Sequence, residues 1–193
     1  SESINTWING SVFPNNELVK AIHQLNENEA LVNADILLAY KSHNEVPSST
    51  IKFNAEFVQL SNLWHIFSKN AESISDDFDL ITENRTSQKI SETNNVIAKE
   101  NIFLEEGAKV EFATLNASEG PIYIGKNAEI MEGCLVRGSL AMCSGSVLKM
   151  GTKIYGGTTL GPFSKVGGEV NNSVFQAFSN KGHDGFLGNA VIG

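Results

Sequence analysis

The 193-residue chain is poor in several residue types, and each shortage excludes a class of protein. Its two cysteines are too few for a disulfide-rich secreted domain and favour a reduced, cytoplasmic protein. It has 14 Lys and Arg against 22 Asp and Glu, and the resulting formal net charge of −8 argues against a nucleic-acid partner. No apolar run reaches the roughly 18 residues of a membrane span, so we expect no membrane partner either.

What the chain does have is a six-residue period. Six residues suffice for one short strand and one corner but not for a helix, so this period predicts a parallel coil of stacked strands, a β-helix. With three strands to a turn, one turn takes about 18 residues and rises about 4.8 Å. A β-sandwich would need turns every 8 to 12 residues or so, and no such spacing occurs. The periodic positions are all aliphatic or Met: Ile124, Ile130, Val136, Met142, Leu148, Ile154, Leu160 and Val166.

A second, mostly smaller set of side chains follows each of these positions by four residues. We expect the two sets to alternate in the narrow interior of the coil, with glycines near the corners where the backbone needs positive φ. The second set is Ala128, Cys134, Leu140, Ser146, Thr152, Thr158, Ser164 and Val170.

The period changes register once on the N-terminal side of the repeat. Leu104, Val110 and Asn116 keep one phase, and Ile124 lies two residues out of it. This predicts a short insertion at 118–121.

A second change of register follows the repeat. Asn172 and Phe178 continue the phase, whereas Phe186 and Ile192 fall two residues late. This predicts an insertion at 180–185, and a loop leaving a regular coil is where we expect chemistry.

Residues 1–100 lack the period and indicate a mixed α/β region. The apolar spacing predicts a helix over about 16–25 capped by Asn15, a hairpin of strands 29–32 and 36–40, and two short helices over 63–70 and 73–81. The polar run 82–88 predicts the boundary between this region and the coil. We therefore expect two domains, 1–100 and 101–193.

Both ends of the chain favour a fragment of a longer protein. The chain begins without Met and stops at 191–193, the opening of another six-residue unit. Repeat proteins need capping segments at their ends, and none follows here. We therefore expect the coil to be truncated at its C-terminal end.

The segment 179–193 carries a resemblance to a known family. Its Gly182-His183 pair, followed by Leu-Gly-x-Ala-x-Ile-Gly from Leu187, resembles the acetyltransferase coil of the bifunctional enzymes that acetylate glucosamine-1-phosphate and then uridylylate it. Residues 101–193 and 9–25 are similar to the sugar nucleotidyltransferases of this type from Bacteroidetes. The resemblance implies a left-handed β-helix after the remnant of a nucleotidyltransferase domain. It also implies a homotrimer with active sites between subunits.

The resemblance also implies site residues and ligands. His183 falls on the catalytic base, with acetyl-CoA as acyl donor and a small-molecule sugar phosphate as substrate. Lys181, Asp184, Phe186 and Tyr155 fall at or near substrate-binding positions. Phe186 stands where the family has an aromatic hydroxyl, and Tyr155 stands where it has an Arg. A neutral imidazole suits the assigned role, because the attacking amine must lose a proton and His titrates in the required range.

The nucleotidyltransferase half is less clear in the sequence. The resemblance implies Mg²⁺, but the sequence does not place its ligands, and we assign no metal site. Asp76, Asp77 and Asp79 fit the polar face of a helix. A glycine-rich phosphate loop is missing from the sequence, and residues 8–11 (Ile-Asn-Gly-Ser) are a poor substitute.

Two functions from different classes remain open. In the first, the longer protein is a sugar-phosphate transferase that moves an acetyl group from acetyl-CoA to an amino-sugar 1-phosphate and then adds a nucleotide. In the second, the coil is a non-catalytic trimerisation module attached to a sugar-1-phosphate nucleotidyltransferase. The intact His183 segment favours the first, and the substitutions at Phe186 and Tyr155 favour the second.

Overall fold

A computed structural model describes residues 3–43 and 45–193 of the chain. These residues form two compact units, 1–63 and 64–193. The two helices after residue 63 belong to the same unit as the coil, whereas the sequence placed the boundary later, at 82–88. Within the described residues, no helix is long and apolar enough to cross a membrane.

The first unit is a four-stranded sheet with one helix. Its elements are β1 (Asn5–Ile8), α1 (Asn16–His23), β2 (Glu29–Asn33), β3 (Ile36–Ser42) and β4 (Ser49–Lys52), and the strand order is β1-β3-β2-β4. Strands β2 and β3 form the predicted antiparallel hairpin, and β4 adds parallel to β2.

Helix α1 forms where the sequence predicted it. The Asn15 side chain accepts a hydrogen bond from the Leu18 amide at 2.8 Å, which caps the helix N-terminus. Leu18 and Ile22 share one face and are buried with Leu31 and Leu38 of the sheet. This small apolar cluster is the core of the first unit.

The second unit begins with α2 (His65–Ser68) and α3 (Asn70–Thr82) and continues into a parallel β-helix. The coil strands are β5 (Asn95–Ile97), β6 (Ile102–Leu104), β7 (Lys109–Val110), β8 (Thr114–Asn116), β9 (Ile122–Ile124), β10 (Glu129–Ile130), β11 (Leu135–Arg137), β12 (Leu140–Met142), β13 (Val147–Leu148), β14 (Lys153–Tyr155), β15 (Thr158–Leu160), β16 (Lys165–Val166), β17 (Glu169–Asn171), β18 (Val174–Phe175), β19 (Asn180–Lys181), β20 (Phe186–Gly188) and β21 (Val191–Ile192).

These strands stack into three sheets, which we call faces I, II and III. Face I has the order β19-β16-β13-β10-β7, face II the order β20-β17-β14-β11-β8-β5, and face III the order β21-β18-β15-β12-β9-β6. In the regular part each residue pairs with one 18 positions later, as Glu129 does with Val147 and Val147 with Lys165. The six-residue period therefore predicted the architecture correctly.

The interior of the coil also matches the sequence prediction. All eight residues of the first periodic set are at most 2% exposed, and all eight of the second set are 0% exposed. The hydroxyls of the second set bond to corner carbonyls, as Ser146 does to Cys143 at 2.7 Å and Thr152 to Lys149 at 2.6 Å. Small polar side chains fit this interior because the corners supply acceptors within reach.

The first change of register is more complex than the sequence indicated. Val136 pairs with Leu115, so Leu115 points inward and the predicted inward position of Asn116 is wrong. The corner 111–113 is one residue short, and the connection 117–121 has five residues where 138–139 and 156–157 have two, which gives the net shift of two residues. The predicted extra residues near 118–121 are present.

The second change of register lies elsewhere than predicted. Ile154 pairs with Val170 and Leu160 with Phe175, while Phe178 is 77% exposed. Asn172 and Phe178 therefore do not continue the inward series.

The cause is a loss of residues, mainly at one corner, rather than an inserted loop. Corner 167–168 has two residues, whereas 149–152 and 182–185 both have four. The segment 182–185 is thus of regular length. Later steps are short as well, since Val170 and Phe175 are five residues apart, as are Leu187 and Ile192. The six-residue phase alone did not show which connections are shortened.

The polar segment before residue 101 caps the coil. The Gln88 amide donates to the Leu104 carbonyl at 2.8 Å, and the Gln88 side chain accepts from the Gly107 amide at 2.8 Å. Ile90 is buried in the coil core. The residues from Gln88 onwards, which the sequence assigned to the α/β region, therefore form the first, irregular layer of the coil.

Helix α3 packs on the outside of face III. The Asn70 side chain donates to the Gly157 carbonyl at 2.7 Å and accepts from the Thr159 hydroxyl at 2.9 Å, and Ile74 is buried. This contact explains why the helix belongs to the same unit as the coil.

The closed interior generates a stability prediction. Leu148→Ala removes a fully buried side chain between stacked neighbours that cannot collapse into the space, and we expect a loss of about 2 to 5 kcal/mol in the free energy of unfolding. Met150→Ala, two residues away and 71% exposed, is the control and should cost less than about 0.5 kcal/mol. Urea unfolding of both variants measures the difference, and equal losses would contradict the inward assignment.

Candidate active site

The structure brings four of the five predicted site residues together in one segment. Lys181 ends β19, His183 and Asp184 lie in the corner 182–185, and Phe186 begins β20. Tyr155 is separate from them, on β14. It shares face II with Phe186, but β17 lies between their two strands.

Lys181 lies at an inward position of the coil, paired with Val166 of the preceding turn. Its ammonium group donates to the carbonyls of Gly167 at 2.6 Å, His183 at 3.0 Å and Gly185 at 2.9 Å. A lysine ammonium has three N–H donors, so these bonds use all of them. Lys181 therefore supports the corner in this structure.

The side chains of the corner itself point to solvent. His183, Asp184 and Phe186 are exposed, and Phe186 is 65% so. Within the described residues, no hydrogen bond joins the Asp184 carboxylate to the His183 ring. An exposed imidazole on a fixed backbone can take a proton from a bound amine, and an exposed aromatic ring three residues later offers an apolar contact.

Tyr155 lies in a shallow groove of about 250 Å³ on face II. The groove is lined by the exposed side chains of Ile97, Leu135 and Tyr155, each between 51% and 53% exposed, and by Arg137. Arg137 forms an ion pair with Glu119 of the 117–121 connection at 2.8 Å. The groove is thus mainly apolar, with its arginine already paired.

The segment after β1 is built as a turn. The Asn9 side chain accepts from the amide and the hydroxyl of Ser11 at 3.0 and 2.8 Å and donates to the Leu37 carbonyl at 2.8 Å. These bonds connect the segment to the sheet of the first unit. They also use the Ser11 amide and hydroxyl, two of the donors that this segment could offer to a phosphate.

The implied Mg²⁺ has no set of ligands within residues 3–43 and 45–193. Among the described residues, no group of three or more His, Cys, Asp or Glu side chains could hold a metal ion. Asp76 and Asp77 lie together on α3, and burial, followed by the charge of Asp76, raises the pKa of Asp77. We derive no step through a metal from these residues.

The sequence did not reveal a polar cluster beside α3. Arg85, just after the helix, donates to both oxygens of Glu105 at 2.7 and 2.8 Å and lies 5.1 Å from the ring centre of Phe103. The Tyr123 hydroxyl donates to the same carboxylate. Glu105 and Tyr123 are 18 residues apart, so the stacking of successive turns brings them together. Only the register of the coil could have predicted this pair.

The cluster shifts the pKa values of its members in opposite directions. The hydrogen bond from Tyr123, and after it the pairing with Arg85, lower the pKa of Glu105. Burial and the bond to Glu105 raise the pKa of Tyr123 to about 12. The cluster is therefore fully formed when Glu105 is ionised and Tyr123 is protonated.

We expect Tyr123→Phe to lower the free energy of unfolding by about 1 to 2 kcal/mol near pH 8, because a hydrogen bond to a charged group is lost. Because the pKa of Tyr123 is higher in the folded state than in the unfolded state, its protonated form stabilises the fold. This stabilisation is complete below the unfolded pKa of about 10 and is lost as the pH rises through about 12. The difference between wild type and Tyr123→Phe should therefore shrink over that range. Tyr155→Phe, at an exposed tyrosine, is the control and should change the free energy of unfolding near pH 8 by less than about 0.5 kcal/mol. A difference for Tyr123→Phe that stays constant with pH would contradict the assignment.

Comparison with known proteins relates the N-terminal part of the chain to a family. Residues 1–86 match the sequence model of a family described as sugar nucleotidyl transferase. No curated protein matches the chain. The matched part is just under half of the chain and includes the first unit together with α2 and α3. The N-terminal part is therefore similar to sugar nucleotidyl transferases, which supports a related function at a coarse level.

Proposed function

We propose that the protein is a sugar-phosphate transferase with two activities. Its coil, a left-handed β-helix, transfers an acetyl group from acetyl-CoA to an amino-sugar 1-phosphate, and the protein also transfers a nucleotide to the sugar phosphate. The observation that carries the acyl-transfer proposal is the exposed His183 ring on a corner whose backbone is fixed by Lys181. The similarity of residues 1–86 to sugar nucleotidyl transferases supports the second activity.

The chemistry assigns one proton transfer to His183. The sugar amine attacks the thioester carbonyl carbon, and the neutral imidazole accepts the proton that the amine loses. When the tetrahedral intermediate collapses, the C–S bond breaks and the imidazolium returns that proton to the departing thiolate. The products are the N-acetyl sugar phosphate and free coenzyme A.

Neighbouring residues support this role in different ways. Phe186 offers an apolar surface to the substrate from the start of β20, and Asp184 exposes a carboxylate in the same corner as His183. Tyr155 lies on another strand of face II, so it contacts the same ligand only if that ligand extends across β17. Lys181 is already bonded to three carbonyls, which favours a supporting role over phosphate binding.

We expect His183→Ala to lower kcat for acyl transfer by about 10² to 10⁴-fold, the usual effect of losing a general base. The assay is acetyl-CoA consumption by the intact protein with glucosamine-1-phosphate and related amino-sugar phosphates. His23→Ala, at an exposed histidine near the end of α1, is the control and should leave this rate unchanged. If His183→Ala retains the wild-type rate, His183 is not the base.

The second candidate, a non-catalytic trimerisation module, rests on the outward surface of face II. Ile97, Leu135, Tyr155 and Phe186 expose apolar side chains along this one face. Three copies related by a threefold axis could bury such a face in a closed ring. Acyl transfer and trimerisation are compatible, and the coil is a scaffold alone if the intact protein transfers a nucleotide but no acyl group.

The same face predicts the oligomeric state. We expect a homotrimer at micromolar concentration, measured by sedimentation or light scattering. Leu135→Glu replaces an exposed apolar side chain of face II with a charge and should shift the protein towards monomers, whereas Met150→Glu, at an exposed position outside the strands of that face, should not. A wild-type monomer, or an intact trimer in Leu135→Glu, would contradict an interface on face II.

A further inference from the structure

The corner that carries His183 is held by two lysines from different turns of the coil. Lys181 donates to the His183 and Gly185 carbonyls, and Lys149 donates to the Gly182 carbonyl at 2.9 Å. Three of the four carbonyls of the corner 182–185 therefore accept a bond from an ammonium group. The third bond of Lys181 goes to the Gly167 carbonyl, in the corner of the preceding turn.

The shortened corner 167–168 makes room for both lysines. A Cβ atom on Gly167 would lie 3.4 Å from Cδ of Lys149, and one on Gly168 would lie 2.7 Å from Nζ of Lys181 and 2.8 Å from the Gly185 carbonyl oxygen. Gly168 also has a φ of +80°, which glycine adopts without strain. The two missing residues and the two missing side chains thus leave the space in which the lysines reach the next corner.

Lys181 occupies a position where the coil otherwise buries an apolar side chain. The inward residues above it on face I are Val110, Ile130, Leu148 and Val166. Placing an ammonium group there is unfavourable unless its donors are satisfied, and the three carbonyls satisfy them. An apolar residue would fill the position without this requirement, so the lysine serves the backbone of the corner.

We propose that Lys149 and Lys181 are positioning residues for His183. The expected loss of turnover rests on the proposed acyl transfer, whereas the expected loosening of the corner does not. The two ammonium groups fix the backbone from Gly182 to Gly185, and the backbone in turn fixes where the imidazole meets the substrate amine. A displacement of about 1 Å at such a group can lower a rate by about 10²-fold.

Lys181→Met and Lys149→Met test the proposal, because methionine keeps an unbranched stem and removes the ammonium group. Lys165→Met is the matched control, since Lys165 is an exposed lysine on the neighbouring strand β16. The first measurement is ¹⁵N relaxation of residues 183–185 in the full chain, together with exchange of the Glu169 amide, which donates to the Gly185 carbonyl. The second is kcat and KM for acetyl-CoA with glucosamine-1-phosphate in the intact protein.

We expect order parameters for 183–185 to fall from about 0.85 to below about 0.6 in Lys181→Met, with a smaller fall in Lys149→Met and none in Lys165→Met. The Glu169 amide should exchange about tenfold faster in Lys181→Met, since its acceptor loses support. For turnover, kcat should fall by about 10²-fold at an unchanged thermal midpoint and with little change in KM.

The two measurements separate the possible failures. Unchanged order parameters in both lysine variants would overturn the proposal, whatever the turnover. A mobile corner with unchanged kcat would overturn the positioning role. If the wild-type protein transfers no acetyl group while the variants loosen the corner, the proposed function fails and the structural role of the two lysines stands.

Discussion

The pairing of each strand with the strand one turn later is the constraint on which the coil unit depends. In the regular part this step is 18 residues, and it places every inward side chain directly on another of the same column. The backbone ladder and the interior are therefore fixed together, because a slip of one residue would turn buried side chains outward. Changes in length are tolerated only at corners, where no ladder bond is lost. The 111–113, 117–121 and 167–168 connections are such places.

This constraint also explains how the candidate site arises. Corner 167–168 is two residues shorter than corner 182–185 of the next turn, so the backbone of 182–185 extends beyond it. Lys149 and Lys181 fill the gap and bond to the overhanging backbone, so the exposed His183 ring is attached to a fixed support. The same stacking brings Glu105 and Tyr123 together beside Arg85, where the charge network connects the end of α3 to the coil. Polar groups distant in sequence meet because they are a whole turn apart.

The sequence predicted the regular part of the fold and little of what depends on its irregularities. The period identified every inward residue from Ile124 to Val166, because a buried column requires an apolar or small residue at each step. It misplaced Asn116 and Phe178, because the sequence shows the phase of the repeat but not which corner has gained or lost residues. It also assigned Gln88 and the residues around it to the α/β region, although Ile90 and the Gln88 backbone close the end of the coil. Single apolar residues in polar segments carry no periodic signal.

The candidate site, too, was predictable in part, from its motif but not from the length of its neighbouring corner. His183, Asp184 and Phe186 were identified by their motif, and the structure places them in one exposed segment, whereas the lysine bonds depend on a corner length that the sequence did not reveal.

The most direct test of the account is a titration of the ¹⁵N-labelled protein with acetyl-CoA and then glucosamine-1-phosphate, followed by NMR. The account predicts that the largest shifts lie at His183, Asp184 and Phe186 and that the His183 ring responds to the amino sugar. Binding that leaves these signals unchanged, or no binding of either compound, would contradict it.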